Sequence, residues 1–193
     1  MGNDIQDFFD SLAPHWDDES EEKLPFVVSL LDQAHIKKGS KVLDLACGTG
    51  IISGVLHDRY GAEVLGLDIS GEMIKIAMRK YEGKEGVRFL QGDFYSAKDL
   101  GRFDYVICHN AFPHFLDVEA FLARVYDSLV EGGEIVVFHS LGREKLRRHH
   151  DGLGPVLSRD LEPVEIESAA FAKRFAVLEA NESENHFWIR ARK

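Results

Sequence analysis

The chain has 193 residues, 45% of them hydrophobic and 29% charged, an ordinary globular composition with length for one domain and a sizeable core. Lys and Arg number 23 against 33 Asp and Glu, a net charge of −10, so phosphate backbones are repelled overall and no nucleic-acid partner is expected. No apolar run reaches the roughly 18 residues of a membrane span, the acidic N-terminus lacks the pattern of a signal peptide, and two cysteines without a CxxC spacing imply a reduced, cytoplasmic setting with no membrane partner.

Residues 1–38 read as a helical cap. Asp4 is placed to cap a short helix carrying Phe8, Phe9 and Leu12. A second helix is expected with Pro25 in its first turn and Phe26, Val27, Leu30, Leu31 and Ala34 on its apolar face. The acidic stretch from Asp17 to Glu22 reads as a solvated loop between them.

Residues 39–193 read as the core, and from Lys41 strand and helix signals alternate. Strands are predicted at 41–46, 62–68, 86–93, 103–110 and 134–140, with helices at 51–60, 71–81 and from Val118 onward. Asp117 caps the last of these and Gly132 and Gly133 are expected to end it. Apolar strands alternating with amphipathic helices imply a doubly wound, mostly parallel α/β sheet covered on both faces. The tail differs. Runs 175–180 and 186–192 are separated only by the polar residues 181–185, too few for a crossover helix, so they form an antiparallel hairpin.

The segment Val42-Leu43-Asp44-Leu45-Ala46-Cys47-Gly48-Thr49-Gly50 carries the chemistry. A strand ends in a turn of small residues that opens a helix, so a ligand can lie against backbone near helix N-terminal amides. Eighteen residues after Gly50, Asp68 ends the second strand, where a carboxylate can accept both hydroxyls of a ribose, as in nucleotide sites beyond the strand ends of doubly wound folds. A dinucleotide fingerprint would carry a third glycine where Ser53 stands. Asp44 beside the turn suits a ligand bearing an ammonium rather than an anionic pyrophosphate.

This segment resembles motif I of the class I S-adenosylmethionine-dependent methyltransferases. The likeness continues through 65–70, 92–94, 103–115, 129–140 and the final hairpin, and 8–17 resembles the N-terminal cap of small members. It implies a seven-stranded Rossmann-like sheet with the last strand inserted antiparallel, S-adenosylmethionine as cofactor and a small-molecule acceptor. Carried over by position, it places Ala46, Gly48 and Gly50 against the amino acid part of the cofactor and Asp44 near its ammonium. It places Asp68 on the ribose, Ile69 and Met73 on the adenine, Asp93 on the adenine amino group with Phe94 beside the ring, and the His109 backbone at the methionine end. Ala46 departs from the glycine common in the family, which implies a slight shift of the turn.

Taken singly, Asp93 could simply cap the next segment, and Phe94 could be core. Trp16, Phe8 and Phe9 read as packing residues of the cap, with a lid role for Trp16 as the alternative. His109, His114 and His139 sit at or just after the fourth and fifth strand ends, where the acceptor should lie. Three readings stand for them: a general base, a metal site of His109, His139 and His149 with Cys108, or hydrogen-bonded wall residues. No tight ligand spacing supports the metal. Arg143, Lys145, Arg147 and Arg148, followed by His149 and His150, form a basic run. They read as a solvated helix face or, through Arg147 and Arg148, as a clamp for an anionic acceptor. The glycine- and proline-containing segment 141–162 reads as a lid. Two rivals accompany the methyltransferase reading: a nicotinamide-dependent oxidoreductase, and a protein that binds S-adenosylmethionine without catalysis.

Overall fold

Alternating apolar residues on short strands can cover two faces at once, and the sheet uses both. The computed structural model describes residues 2–18, 20–150, 154 and 157–193, with the side chains at 2, 3, 20–22, 149 and 150 outside the description. Of the residues singled out above, Gly152, Pro155 and the side chains of His149 and His150 therefore lie outside it. Strands β1 (Lys41–Leu45), β2 (Glu63–Asp68), β3 (Val87–Gln91), β4 (Phe103–His109), β5 (Leu129–His139), β6 (Ala176–Glu182) and β7 (Phe187–Arg192) form one sheet in the order β3-β2-β1-β4-β5-β7-β6. The first five run parallel. β7 is antiparallel to both β5 and β6, the inserted last strand that the sequence implied.

Helices are α1 (Gly2–Leu12), α2 (Ser20–Asp32), α3 (Ile51–Tyr60), α4 (Gly71–Lys80), α5 (Val118–Ser128), α6 (Arg143–His150) and α7 (Val164–Phe171). On one face Leu43, Leu45, Val106, Cys108, Ile135 and Val137 join Phe121 and Phe171 of α5 and α7 in one core. On the other Val42, Ile107, Val136 and Phe138 pack with Leu30, Leu31, Ile52 and Leu56 of α2 and α3.

Three local expectations are corrected. α2 begins at Ser20, so Pro25 lies inside it and the end of the acidic stretch is helical. Asp4 sits in the first turn of α1, which begins at Gly2. α5 ends at Ser128 and β5 starts at Leu129, before the two glycines. Gly132 (φ +75°) and Gly133 lie within β5, where the register shifts from Leu129 opposite Phe103 to Glu134 opposite Tyr105. They serve a bulge rather than a helix end.

Candidate active site

β1 delivers Asp44 at 1% exposure to the sheet's carboxyl edge. Ser53, on the first turn of α3, donates its hydroxyl to Asp44 Oδ2 at 2.6 Å. Burial, with a smaller push from Asp68, drives the Asp44 carboxyl up to about 7 against the Ser53 bond. No cationic side chain pairs with it among the described residues. Ser53, which spoke only against a dinucleotide in the sequence, thus anchors this carboxylate.

The chain then turns through three left-handed positions: Ala46 (φ +57°), Gly48 (φ +54°) and Gly50 (φ +83°). Glycine is needed at Gly50, since a Cβ there would meet the Phe89 ring at 2.7 Å. Ala46 takes the same region with a side chain, which costs ~1–2 kcal/mol. Asp68, at the end of β2, closes the turn from the side. Its Oδ2 accepts from Gly48 N and its Oδ1 from Ser70 N, both at 2.8 Å. Burial raises its carboxyl. Each oxygen keeps a second lone pair, so the contacts to Gly48 and Ser70 orient the carboxylate without saturating it.

The cap reaches across this turn. A Cβ on Gly48 would lie 3.1 Å from Trp16 Nε1. Thr49 donates to Asp17 Oδ1 at 2.6 Å, and Lys80 pairs with Asp17 Oδ2 at 2.6 Å. Asp10 of α1 accepts from Ser70 Oγ and from Glu72 N at the start of α4. Phe9 packs edge-on against both Trp16 and His114, at 5.9 Å and 5.0 Å between centroids. One wall therefore runs from the glycine turn to the segment after β4.

The remaining predicted cofactor residues divide. Ile69 is half-buried beside Asp68, whereas Met73 is 1% exposed and packs beneath α4 with Ile74 and Ala77. Asp93 is a turn cap: Tyr95 N donates to Oδ1 at 3.1 Å and Ser96 Oγ to Oδ2 at 3.2 Å. Phe94 is 3% exposed in a cluster with Phe115 and Phe121, so it is core rather than an open wall.

The three histidines are not equivalent. His139 has no exposed surface and packs edge-on to Phe187. His109 stacks on Phe138 at 4.6 Å, and burial pushes it down to about 3. Its Nε2 is buried and finds no hydrogen-bond partner among the described residues. An enclosed or so weakly basic imidazole cannot take a proton from an acceptor near neutrality, which corrects both as base candidates. His114, on the short 3-10 turn Phe112–His114, differs. Its Nδ1 donates to the Leu157 carbonyl at 2.7 Å. Burial lowers its titration, with the Leu157 bond opposing.

No group of three or more metal-ligating side chains occurs among the described residues. Arg147 is half-exposed on α6 and pairs with Glu144 one turn back at 3.4 Å, Arg148 is exposed, and Leu146 is buried between them. That is a solvated helix face. A cavity of about 530 Å³ lined by Leu24, Val28, Ile51, Val55 and Lys80 lies between α2 and α3. It contains none of the predicted cofactor residues.

Residues 42–133 match the family model of the methyltransferase domain. That segment carries the likeness of the chain to the class I S-adenosylmethionine-dependent methyltransferases. The chain is 40% identical over 110 residues to a demethylmenaquinone methyltransferase of Thermus thermophilus, covering 55% of this chain and 50% of that one. It is 32% identical over 145 residues to a ubiquinone biosynthesis O-methyltransferase of Escherichia coli, covering 70% and 60%. The chain thus spans about half to three-fifths of the length of these relatives. A solved structure of DhpI with SAH superposes at a TM-score of 0.77 with 22% identity, covering 99% of this chain and 96% of that one.

Sequence reasoning missed Asp10, Asp17, Thr49 and Lys80. Their partners are distant along the chain, 32 residues for Asp17 with Thr49 and 60 for Asp10 with Ser70, and no local pattern signals such contacts. No helix among the described residues is long and apolar enough to cross a membrane.

Proposed function

We propose that the chain transfers a methyl group from S-adenosylmethionine to a small-molecule hydroxyl acceptor. One observation carries the reading: Asp44 is a buried carboxylate without a cationic partner among the described residues, beside a turn whose Gly48 offers bare backbone. An ammonium-bearing ligand fits that gap. The cofactor supplies a methyl group already activated by its sulfonium.

The protein's own contribution is position, charge and exclusion of water. Asp44 balances the ammonium, and Ala46, Gly48 and Gly50 let the backbone approach the amino acid part. Asp68 uses its spare lone pairs for the ribose hydroxyls. Ile69 and Met73 would pack on the adenine, Asp93 would accept from its amino group, and the His109 backbone would close the methionine end. Trp16 and Phe9 cover the turn. His114, whose Nδ1 donates to the Leu157 carbonyl, is the candidate general base among the three histidines. An oxygen acceptor agrees with the O-methyltransferase named among the relatives. Two free, buried cysteines fit a reduced, cytoplasmic setting.

The test is incubation with methyl-labelled S-adenosylmethionine and a metabolite extract. Label should appear in the small-molecule fraction, and Asp68→Ala should weaken cofactor binding by ~1–3 kcal/mol. Cofactor binding with no label transferred would leave a non-catalytic binding protein, and a response to NAD(H) alone would favour an oxidoreductase.

A further inference from the structure

The cavity of about 530 Å³ between α2 and α3 has two matched apolar walls. Leu24 and Val28 stand one turn apart on α2, and Ile51 and Val55 one turn apart on α3, so each helix presents an i, i+4 apolar pair to it. All four are half-buried, although their neighbours Val27, Ile52 and Leu56 are closed into the core. The two pairs line the space without closing it.

Tyr81, directly after α4, supplies a further wall. Its hydroxyl lies against the backbone of Gly54, in the middle of α3, where a Cβ would collide with it. Glycine inside a helix destabilises it relative to alanine, and here the bare backbone admits the phenol. Gly54 and Tyr81 both line the cavity, so the hydroxyl sits at its wall. It makes no hydrogen bond among the described residues. Burial, with the charges of Asp58 and Asp17, raises the phenol, which keeps it a neutral donor near neutrality.

Charge is already settled around the space. Asp17 pairs with Lys80 at 2.6 Å, Asp58 with Lys84 at 2.6 Å and Arg59 with Asp32 at 2.7 Å. Each charged side chain among the described lining residues thus has its counter-ion within the protein. An ionic guest would lose hydration with no free charge to meet it. A neutral guest with an apolar body and one oxygen meets apolar walls and the open phenol.

We propose that this cavity is a small-molecule site separate from the turn at 46–50: it takes a neutral, largely apolar molecule with one hydroxyl or carbonyl oxygen, held between the apolar pairs of α2 and α3 and bonded to the Tyr81 hydroxyl. The site goes beyond the methyl-transfer reading and does not depend on it.

The test titrates the full chain with 2-naphthol and with 2-naphthoate, followed by 1H–15N chemical-shift mapping. 2-Naphthol should saturate with a Kd below about 1 mM and shift the amides of Leu24, Val28, Ile51, Val55 and Tyr81. Added S-adenosylhomocysteine should not displace it. The anion 2-naphthoate should bind at least roughly tenfold more weakly. Tyr81→Phe keeps the ring and should weaken 2-naphthol roughly fivefold. Val55→Phe fills the space and should abolish saturable binding. No saturation below about 1 mM in the parent, shifts centred on 44–50, or displacement by S-adenosylhomocysteine overturns the site, as does unchanged affinity in folded Val55→Phe. Equal affinity for 2-naphthoate overturns the neutral class of guest, and unchanged affinity in folded Tyr81→Phe overturns the bond to the phenol.

Discussion

Trp16 Nε1 stands 3.1 Å from the point that a Cβ on Gly48 would occupy, so the cap is fitted to a residue with no side chain. Gly48→Ala therefore meets two penalties, the left-handed φ of +54° and the indole. Destabilisation of ~1–2 kcal/mol is expected from the backbone, with a change in tryptophan fluorescence as the cap shifts. Adding Trp16→Ala should relieve the contact but not the backbone cost, so a double-mutant cycle gives a non-zero coupling. Simple additivity would mean that the indole does not press on the turn.

Asp44 makes pH a probe of the site. Its folded value of about 7 lies above the ordinary 3.8. Below about pH 4 both folded and unfolded chains hold the proton. Between about 4 and 7 only the folded chain keeps it, so stability falls as pH rises, and above about 7 the full penalty of a buried charge is present. Asp68 is raised in the same direction, so the comparison must be with Asp44→Asn. That variant should melt higher than the parent at pH 8 and match it at pH 4. Its cofactor affinity should drop at least ~10-fold at pH 8. The parent's affinity should rise from pH 5 to 7 as Asp44 ionises beside the ammonium, and the variant's should not. Calorimetry in buffers of different ionisation enthalpy reads the released proton directly.

Ala46 sits at φ +57° in a turn where the family commonly carries glycine. Ala46→Gly relieves ~1–2 kcal/mol of backbone strain against ~0.5–1 kcal/mol of added chain entropy in the unfolded state. A net gain is expected, seen as a midpoint for thermal unfolding higher by ~1–4 °C. A lower midpoint would mean that the alanine methyl contributes more by packing than its dihedral costs.

The fold was legible because its signals are local. The apolar run at 103–109, the small residues at 46–50 and the Asp117 cap act on neighbours in the chain, and the structure keeps all three. Where sequence expectation slipped, two local signals competed. Gly132 and Gly133 resemble a helix stop but serve a bulge. Phe94 resembles a ring wall but joins an aromatic core.

By itself the sequence determined the order of strands and helices, the tight turn of small residues and the acids at 44 and 68, since these follow from periodicity and from which residues tolerate a tight, left-handed turn. Only the tertiary structure decided the surroundings of each histidine. His109, His114 and His139 are the same chemical group, and their difference comes from distant surroundings: His109 stacks on Phe138, His139 packs against Phe187, and Leu157 and Phe9 flank His114. Desolvation and hydrogen bonding set a side chain's proton affinity, and both depend on residues that meet only once the chain is folded.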